Sequence, residues 1–321
     1  MPKPVKILLR VLCIVIAAVL LFLLCFHFGE KIRYRSFYKN AEVMFKTPGT
    51  GDGFVQQGLY YDDDSDLYIV CGYMGKGASR VYTVDKDGKS RFCELKDGKG
   101  ADYCGHTGGV ARFGDYIYIT GDDGLDVFSF ADIRDKSEAK LIGSFKTGSD
   151  PAYCHREGDL LYVGSFYREG NYETPAHERI TTPAGDRNTS VVYIFSLNAE
   201  ADLGIDGKPV SALSTPGLVQ GMCFDAKGRA VLSTSYGLAA SHLYVYDLAK
   251  ADEGTLEVDG KKLDIKYLDS KSLVETVEAP PMSEEIILKD GRIVIMTESA
   301  SNKYIFGKIT SGRRVYGYEM Q

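Results

Sequence analysis

The internal repeat is the feature that most constrains how this chain can fold. The segment VQQGLYYD at residues 55–62 returns as VQGMCFD at residues 219–225. Further along, ASRVYTVD at residues 78–85 matches ASHLYVYD at residues 240–247. Self-similarity of this kind is typical of arrays in which each repeat is one supersecondary unit. The two parts of the chain are therefore predicted to be copies of one template.

Three further copies of the template begin at Gly108, Ala152 and Glu284. Each copy has a short strand, a polar turn containing Gly, Asp or Lys, and a second apolar strand. Aromatic and β-branched residues alternate with others, and no helical period of useful length appears outside the N-terminus. A third strand is predicted in every copy, at residues 81–85, 127–130, 192–195, 243–247 and 315–318.

An all-β fold, a five-bladed β-propeller, is the architecture that this repeat predicts, because radial repetition protects the edges of the sheets. Residues 41–46 are expected to supply the outer strand of the last blade and to close the ring. The fourth copy carries an insertion at residues 255–269, and six blades result if that insertion is a blade of its own. The third copy carries a long loop at residues 168–190, and such loops are often functional.

The repeat resembles the broad propeller superfamily of NHL-type, YVTN-type and gluconolactonase-like proteins. In that superfamily each blade opens with a segment like QG-apolar-x-x-D, as in VQQGLYYD and VQGMCFD. The resemblance covers residues 50–320 loosely. The strings GHTGG, STSYG and APPMSE also resemble uncharacterised single-anchor bacterial propellers. The resemblance implies the fold, and its gluconolactonase-like members suggest a divalent cation in the central channel.

A membrane anchor is predicted near the N-terminus. Residues 11–28 contain no charged side chain, and at about 1.5 Å per residue they nearly cross a hydrocarbon layer of about 30 Å. With the flanking residues 5–9 included, the segment is long enough to cross this layer. A cleaved signal peptide is the competing interpretation, but the small-residue cleavage pattern is missing. We therefore divide the chain into an anchor with its juxtamembrane segment at residues 1–39 and a propeller domain at residues 40–321.

The side of the membrane does not follow from charge, because three basic residues flank each end of the uncharged run. We expect a single-pass protein with its domain outside the cytoplasm, since an N-terminal anchor commonly exports one C-terminal domain. Asn188 begins a sequon that a glycosylating host would modify. The domain has 31 basic and 43 acidic residues, a net charge of −12, so no nucleic-acid partner is expected.

The cysteines do not indicate a metal knuckle or a disulfide framework. Five lie in the domain, an odd number without CxxC spacing. At most, Cys104 pairs with Cys93 or with Cys154. Cys71 and Cys223 lie in apolar strand patterns and are expected to be buried small hydrophobic residues.

The first strand of each blade lines the channel of a propeller, so equivalent residues form rings. The template places on one ring Gln57, Thr107, Pro151, Gln220 and Ser283, and on the next Gly58, Gly108, Ala152, Gly221 and Glu284. Glu284 is the one charge among them. One interpretation is a Ca²⁺ ion held by Glu284 with Gln57, Gln220 and backbone carbonyls, because hard cations need several oxygen ligands. The other is a polar channel filled with water.

A second candidate site lies fifteen residues beyond the axial ring, near the ends of the second strands. The residues there are Tyr73, Asp123, Tyr167, Tyr236 and Ser299. Tyrosine offers an apolar face and a hydroxyl, which suits small molecules, sugars or peptides. The alternative is that these tyrosines only pack between blades.

Catalytic signatures are absent from the sequence, since there is no GxSxG, HExxH, P-loop or GxGxxG in a strand-to-helix context. Our first hypothesis is therefore a tethered module that binds a small molecule, a sugar or a protein. The second is a divalent-cation-dependent hydrolase or lactonase with Glu284 as metal ligand and His106 or Glu285 as general base. The carboxylates from which a catalytic pair would come are Asp123, Asp150, Glu284, Glu285 and Glu298.

Overall fold

The computed structural model describes residues 2–258 and 260–320, and nearly all of its regular structure after the N-terminal helix is antiparallel sheet. The strands group into units of four, and the chain passes through each unit from the inside outwards. Hairpin turns connect successive strands, as the repeat predicts. The units are called blades 1 to 5 below.

The N-terminal part and the first two blades contain the following elements. The chain begins with helices α1 (Lys3–Arg33) and α2 (Arg35–Lys39) and strand β1 (Ala41–Lys46). Blade 1 consists of β2 (Phe54–Asp62), β3 (Leu67–Met74), β4 (Arg80–Val84) and β5 (Ser90–Lys96). Blade 2 consists of β6 (Val110–Phe113), β7 (Tyr116–Gly121), β8 (Gly124–Ser129), the short helix α3 (Phe130–Asp135) and β9 (Glu138–Lys146).

Blades 3 to 5 complete the fold. Blade 3 starts with β10 (Pro151–Glu157) and β11 (Leu160–Ser165) and, after a loop with the small ladder β12 (Ile180–Thr181) and β13 (Arg187–Asn188), ends with β14 (Ser190–Leu197) and β15 (Ile205–Thr215). Blade 4 consists of β16 (Val219–Phe224), β17 (Ala230–Thr234), β18 (Ser241–Tyr246), an inserted hairpin β19 (Glu253–Val258) and β20 (Lys261–Tyr267), and β21 (Leu273–Ala279). Blade 5 consists of β22 (Ser283–Lys289), β23 (Arg292–Thr297) and β24 (Arg314–Glu319), with β1 as its fourth strand. Single turns of 3₁₀ helix occur at Ala176–Glu178, Asp202–Gly204 and Ile305–Lys308.

The inner strands lie side by side in a closed ring, in the order β2, β6, β10, β16, β22 and back to β2. This arrangement confirms the propeller predicted from the repeat. The ring is closed by β1, which pairs antiparallel with β24 so that Ala41 lies opposite Tyr318 and Lys46 opposite Arg314. Residues 41–46 therefore have the role that the sequence predicts for them.

The insertion of the fourth copy extends a neighbouring sheet. Its hairpin of β19 and β20 leaves blade 4 and pairs in parallel with β15, with Ile265 opposite Ala212. It therefore adds two strands to the outer edge of blade 3 and forms no inner strand of its own. Of the inserted residues 255–269, Asp259 lies outside the described residues.

The cysteines are all free thiols, so the bridge proposed for Cys104 with Cys93 or Cys154 is not formed. Cys104 is exposed, whereas both of its proposed partners are buried inside the sheets. Cys71 and Cys223 are fully buried, as their apolar strand patterns predict.

The sequon at Asn188 is not available for modification in the folded chain. Asn188 is only 3% exposed, and its amide donates hydrogen bonds to Ser214 Oγ (2.9 Å) and to the carbonyl oxygen of Leu268 (3.0 Å). A glycan at this position would break both bonds and open the sheet. The sequon therefore gives no support for an extracytoplasmic domain.

The N-terminal helix is long and apolar enough to cross a membrane, over Lys3–Arg33. Its end is not a flexible linker. Tyr34 and Phe37 are buried in the core that blades 4 and 5 share, and the Phe37 ring stacks on Tyr318 with 5.3 Å between centroids. Arg33 Nη1 donates to Glu278 Oε2 at 2.8 Å. The last turns before residue 40 are thus part of the packed propeller.

Candidate functional site

Four of the five inner strands, all except β6, begin with an irregular step in the pairing, and this step sets which side chains face the axis. The register skips Gln57 in β2, Ala152 in β10 and Gln220 in β16, and it shifts between Ser283 and Ile286 in β22. Such a bulge places two residues opposite one and re-aims their side chains. Residues at the bulges of different blades are therefore equivalent, and they define the rings around the axis.

Contacts around the axis show that the predicted rings are wrong in three blades. Neighbouring residues on a ring are recognised by how closely their backbones approach, since a Cβ added to one glycine would lie within 3 Å of the next residue. By this measure Gly58 is next to Gly109, and Gly109 is next to Tyr153. Gly221 is next to Glu285. The pairing of β10 skips Ala152 just as the pairings of β2 and β16 skip Gln57 and Gln220, so Ala152 and not Pro151 is their equivalent. Thr107 and Ser283 are likewise one position too early in the chain. The corrected rings are Gln57, Gly108, Ala152, Gln220 and Glu284, and below them Gly58, Gly109, Tyr153, Gly221 and Glu285.

Glu285 lies on the axis and ties the blades together. Its Oε2 accepts the backbone N–H groups of Leu59 (2.9 Å) and Val110 (3.0 Å), and its Oε1 accepts that of Cys154 (3.2 Å). The residue is 1% exposed. Burial raises the pKa of this carboxyl well above its ordinary value, while the three amides oppose the shift. A carboxyl so enclosed suits a structural role better than the general-base role predicted for it.

A cavity of about 720 Å³ opens at the face where the inner strands begin. It brings together most of the predicted site residues, namely Gln57, Tyr73, His106, Gln220, Tyr236 and Glu284. Four predicted residues lie outside its lining, namely Glu285 on the axis, the buried Ser299, Tyr167 and Asp123. Tyr167 is 9% exposed and packs behind the wall against Gly217, and Asp123 lines a separate cavity beside Asp102.

Glu284 forms the buried end of this cavity. It is 2% exposed, and within the described part of the chain its carboxyl has no hydrogen-bond partner. Burial raises its pKa well above the ordinary value, and the negative charges of Glu298 and Glu285 raise it further. The side chain is therefore an unpartnered acid aimed into open space.

Glu298 stands next to Glu284 in the lining of the cavity. Its Oε2 accepts a hydrogen bond from Gln57 Nε2 at 3.0 Å. Burial raises its pKa to about 7, against the lowering effects of Lys303 and of the Gln57 bond. The two acids influence each other, so the cavity changes charge near neutral pH.

Lys303 is a site residue that the sequence did not reveal, because the loop at residues 298–313 matches no part of the repeat. Its Nζ donates to the hydroxyl of Tyr73 at 2.6 Å. The other side of Tyr73 stacks on His106, with 4.9 Å between ring centroids. Burial lowers the pKa of His106, and the charge of Lys303 lowers it further, so this imidazole is neutral at pH 7.

The remaining wall comes from blades 2 and 3 and is acidic and aromatic. Burial raises the pKa of Asp150, and the charges of Asp122 and Asp123 raise it further. The long loop of blade 3 contributes Tyr172. In all, the described lining has one lysine and the five carboxyl side chains Asp122, Asp150, Glu173, Glu284 and Glu298.

The calcium site predicted at Glu284, with ligands from Gln57, Gln220 and backbone carbonyls, stays a prediction. In residues 2–258 and 260–320, no three His, Cys, Asp or Glu side chains are grouped so that they would hold a metal ion. A cation at Glu284 would have to take its other ligands from Glu298, the amides of Gln57 and Gln220, and backbone carbonyls.

Comparison with known proteins shows no family for this chain. No protein-family model and no curated protein sequence matches the chain. It is similar to the PQQ-bound aldose sugar dehydrogenase of Streptomyces coelicolor, with 15% identity and a TM-score of 0.47 over 87% of this chain and 97% of that one. It is also similar to a Thermus thermophilus protein described as an oxidoreductase (glucose dehydrogenase), with 13% identity and a TM-score of 0.46 over 86% and 98% of the two chains.

A third similar structure is a protein described as a gluconolactonase, with 13% identity and a TM-score of 0.40 over 87% of this chain and 91% of that one. All three likenesses have TM-scores below 0.5. Likeness at this level says nothing about chemistry. The site is therefore interpreted from its own residues.

The neighbouring acids Glu284 and Glu285 provide a matched pair of substitutions. We expect Glu285→Gln to lower the free energy of unfolding by about 2 kcal/mol or more, because an amide cannot accept all three N–H groups. Glu284→Gln removes no hydrogen bond and is expected to change stability by less than about 1 kcal/mol. Denaturant unfolding of the full chain in detergent measures both values. Equal losses in the two variants would contradict the structural role of Glu285.

Proposed function

We propose that this protein is a membrane-anchored binding protein whose propeller cavity takes a small molecule carrying a positively charged amine. The observation that carries the proposal is the buried carboxyl of Glu284, which within the described residues ends a cavity of about 720 Å³ without a hydrogen-bond partner. The volume lies within the range of about 300–1,000 Å³ that is usual for small-molecule sites.

An amine is the ligand group that best compensates the free-energy cost of burying the Glu284 carboxyl. Burying a polar group without a partner costs free energy, and burying it ionised costs more. Glu284 and Glu298 respond by having raised pKa values. An ammonium group supplies both hydrogen-bond donors and a counter-charge, so its binding returns the acids to their ionised form.

The aromatic residues of the cavity favour the same ligand. A cation is attracted to the face of a tyrosine ring. In this structure Arg168 already lies over Tyr236, 3.9 Å from the ring centroid, and Lys303 lies over Tyr73 at 5.2 Å. The excess of carboxyl groups over the single lysine in the described lining attracts cations into the site.

Anchoring is the second part of the proposal. Helix α1 holds the propeller at the membrane, with the propeller outside the cytoplasm. The apolar length of the helix and its firm packing through Tyr34 and Phe37 support a retained anchor.

Replacement of Tyr236 tests the aromatic contribution. We expect Tyr236→Ala to weaken binding of benzylamine about fivefold, the effect of losing one exposed cation–aromatic contact worth about 1 kcal/mol. Isothermal titration of the full chain in detergent measures this affinity, with benzyl alcohol as the neutral probe. The control is Phe92→Ala, since Phe92 is 41% exposed like Tyr236 at 42% and has Arg80 over its ring at 4.1 Å. A large loss of stability in Tyr236→Ala would show that the ring is core instead.

The pH dependence of binding tests the carboxyl pair. The pKa of Glu298 is raised to about 7, so the group is mostly protonated below that pH and ionised above it. Affinity for benzylamine should therefore rise as the pH increases through 7, until the amine loses its own proton. Without ligand, the same raised pKa makes the fold lose stability as the pH rises from the ordinary value of 4.5 to about 7. Glu298→Gln should flatten the affinity profile, and a profile unchanged by Glu298→Gln would contradict the role of the acid.

A divalent-cation-dependent hydrolase or lactonase is the second candidate, and the pairing of Glu284 with Glu298 favours it. A carboxyl with a pKa of about 7 is suited to proton transfer at neutral pH. Glu298 lines the cavity and takes the place of Glu285 as candidate base. This function predicts a stoichiometric metal ion in the purified chain, a melting temperature that falls on chelation, and loss of the ion in Glu284→Gln. Metal analysis that finds no ion, with no shift in melting on addition of calcium, would exclude this version.

A further inference from the structure

The N-terminal helix leaves the propeller at the face that carries the cavity. The contacts of α2 and α1 follow strand β24 and the loop before it in order. Phe37 stacks on Tyr318 near the end of that strand, and ten residues earlier His27 Nδ1 donates to the carbonyl oxygen of Ile309 at 2.9 Å. Ile309 belongs to the loop that precedes β24. The helix therefore runs towards that loop, and the residues before His27 continue past it.

The loop that meets the helix is also a wall of the cavity. Residues 298–313 join β23 to β24 and contribute Glu298, Lys303 and Tyr304 to the lining. His27 is the last residue but one of the uncharged run at residues 11–28. The point at which the helix becomes apolar enough for hydrocarbon is thus the point at which it touches the cavity wall. No linker separates the two.

The junction also fixes the direction in which the cavity opens. Tyr34 and Phe37 are buried at the edge of blades 4 and 5, and Arg33 is paired with Glu278 at the end of β21. Glu278 lies four residues before Met282, which is itself part of the cavity lining. A propeller held at these points cannot turn its cavity away from the membrane without unpacking its own core.

The rim has the chemistry of a surface that meets lipid headgroups. Leu238 is 70% exposed and Tyr172 is 57% exposed, both on loops of the cavity face. The loop nearest the helix carries Lys303, Lys308 and Arg313. Aromatic residues favour the membrane–water interface, and basic residues there are attracted to lipid phosphates. The acidic character of the domain as a whole makes this basic loop stand out.

We infer that the cavity faces the bilayer in which the chain is anchored and binds the amine-bearing headgroup of a membrane lipid. The inference rests on the proposed function, to which it adds the source of the ligand. The ammonium group would reach the acids Glu284 and Glu298, and Lys303 at the wall would meet the phosphate of the same headgroup. A zwitterionic headgroup thus matches both signs of charge in the site.

The orientation is tested with the full chain in nanodiscs whose lipids carry a nitroxide on the headgroup. Cys13, Cys25 and Cys104 are replaced by serine, which leaves only the buried cysteines. A fluorophore is then attached through Leu238→Cys on the cavity face or through Asp63→Cys in the turn at the far end of β2. We expect strong quenching at position 238 and little at position 63. Equal quenching, or stronger quenching at position 63, overturns the inference and leaves the proposed amine site standing.

The ligand is tested in nanodiscs of phosphatidylglycerol with and without phosphatidylethanolamine. We expect phosphatidylethanolamine to raise the melting temperature of the wild-type chain and to weaken its binding of benzylamine, with neither effect in Glu284→Gln. Soluble glycerophosphoethanolamine at the same total concentration should have much less effect. If it acts as strongly as the lipid, or if benzylamine binds but phosphatidylethanolamine changes nothing, the inference is wrong and the proposed function stands. If benzylamine does not bind at all, the proposed function fails and the inference fails with it.

Discussion

The rest of the structure depends on one buried carboxyl group, that of Glu285. The inner strand of each blade pairs on one side only, so its other edge presents backbone amides towards the axis. Unpaired buried N–H groups are costly. Glu285 resolves this for three blades at once, by accepting the amides of Leu59, Val110 and Cys154 from a position in blade 5. It therefore holds together inner strands that belong to different sheets.

The same bulge that delivers Glu285 to the axis also shapes the candidate functional site. The pairing of β22 is irregular between Ser283 and Ile286. The two consecutive glutamates between them therefore lie in different environments. Glu285 is saturated with backbone donors, and Glu284 faces the cavity with none among the described residues. Room for Glu285 comes from small residues on its own ring. A Cβ at Gly221 would lie 2.5 Å from the Cα of Glu285, so only glycine fits there.

The sequence was sufficient for the repeat, the closing strand at residues 41–46 and the tyrosines Tyr73 and Tyr236, because these follow from residue identity at constant spacing. It was insufficient wherever the outcome depended on pairing between distant strands. The second candidate site was predicted fifteen residues beyond the ring that contains Gly58. In blade 3 the sequence placed Ala152 on that ring and so predicted Tyr167. The structure places Tyr153 there, and fifteen residues beyond it is Arg168, which lies over Tyr236. The partner of the inserted hairpin and the position of Lys303 depend likewise on contacts between distant parts of the chain, and no local pattern encodes them.

The attachment of the helix is stronger than a simple tether requires. An acidic domain near an anionic membrane surface is repelled over about a Debye length, and a flexible linker would let it move away. This chain instead buries Tyr34 and Phe37 in the propeller and bonds His27 to the cavity loop. The three basic residues of that loop lie where the repulsion would act. The proposed orientation, with an acidic cavity held against a membrane, requires both a firm junction and a local reversal of charge, whereas a propeller that only has to stay in the same compartment requires neither.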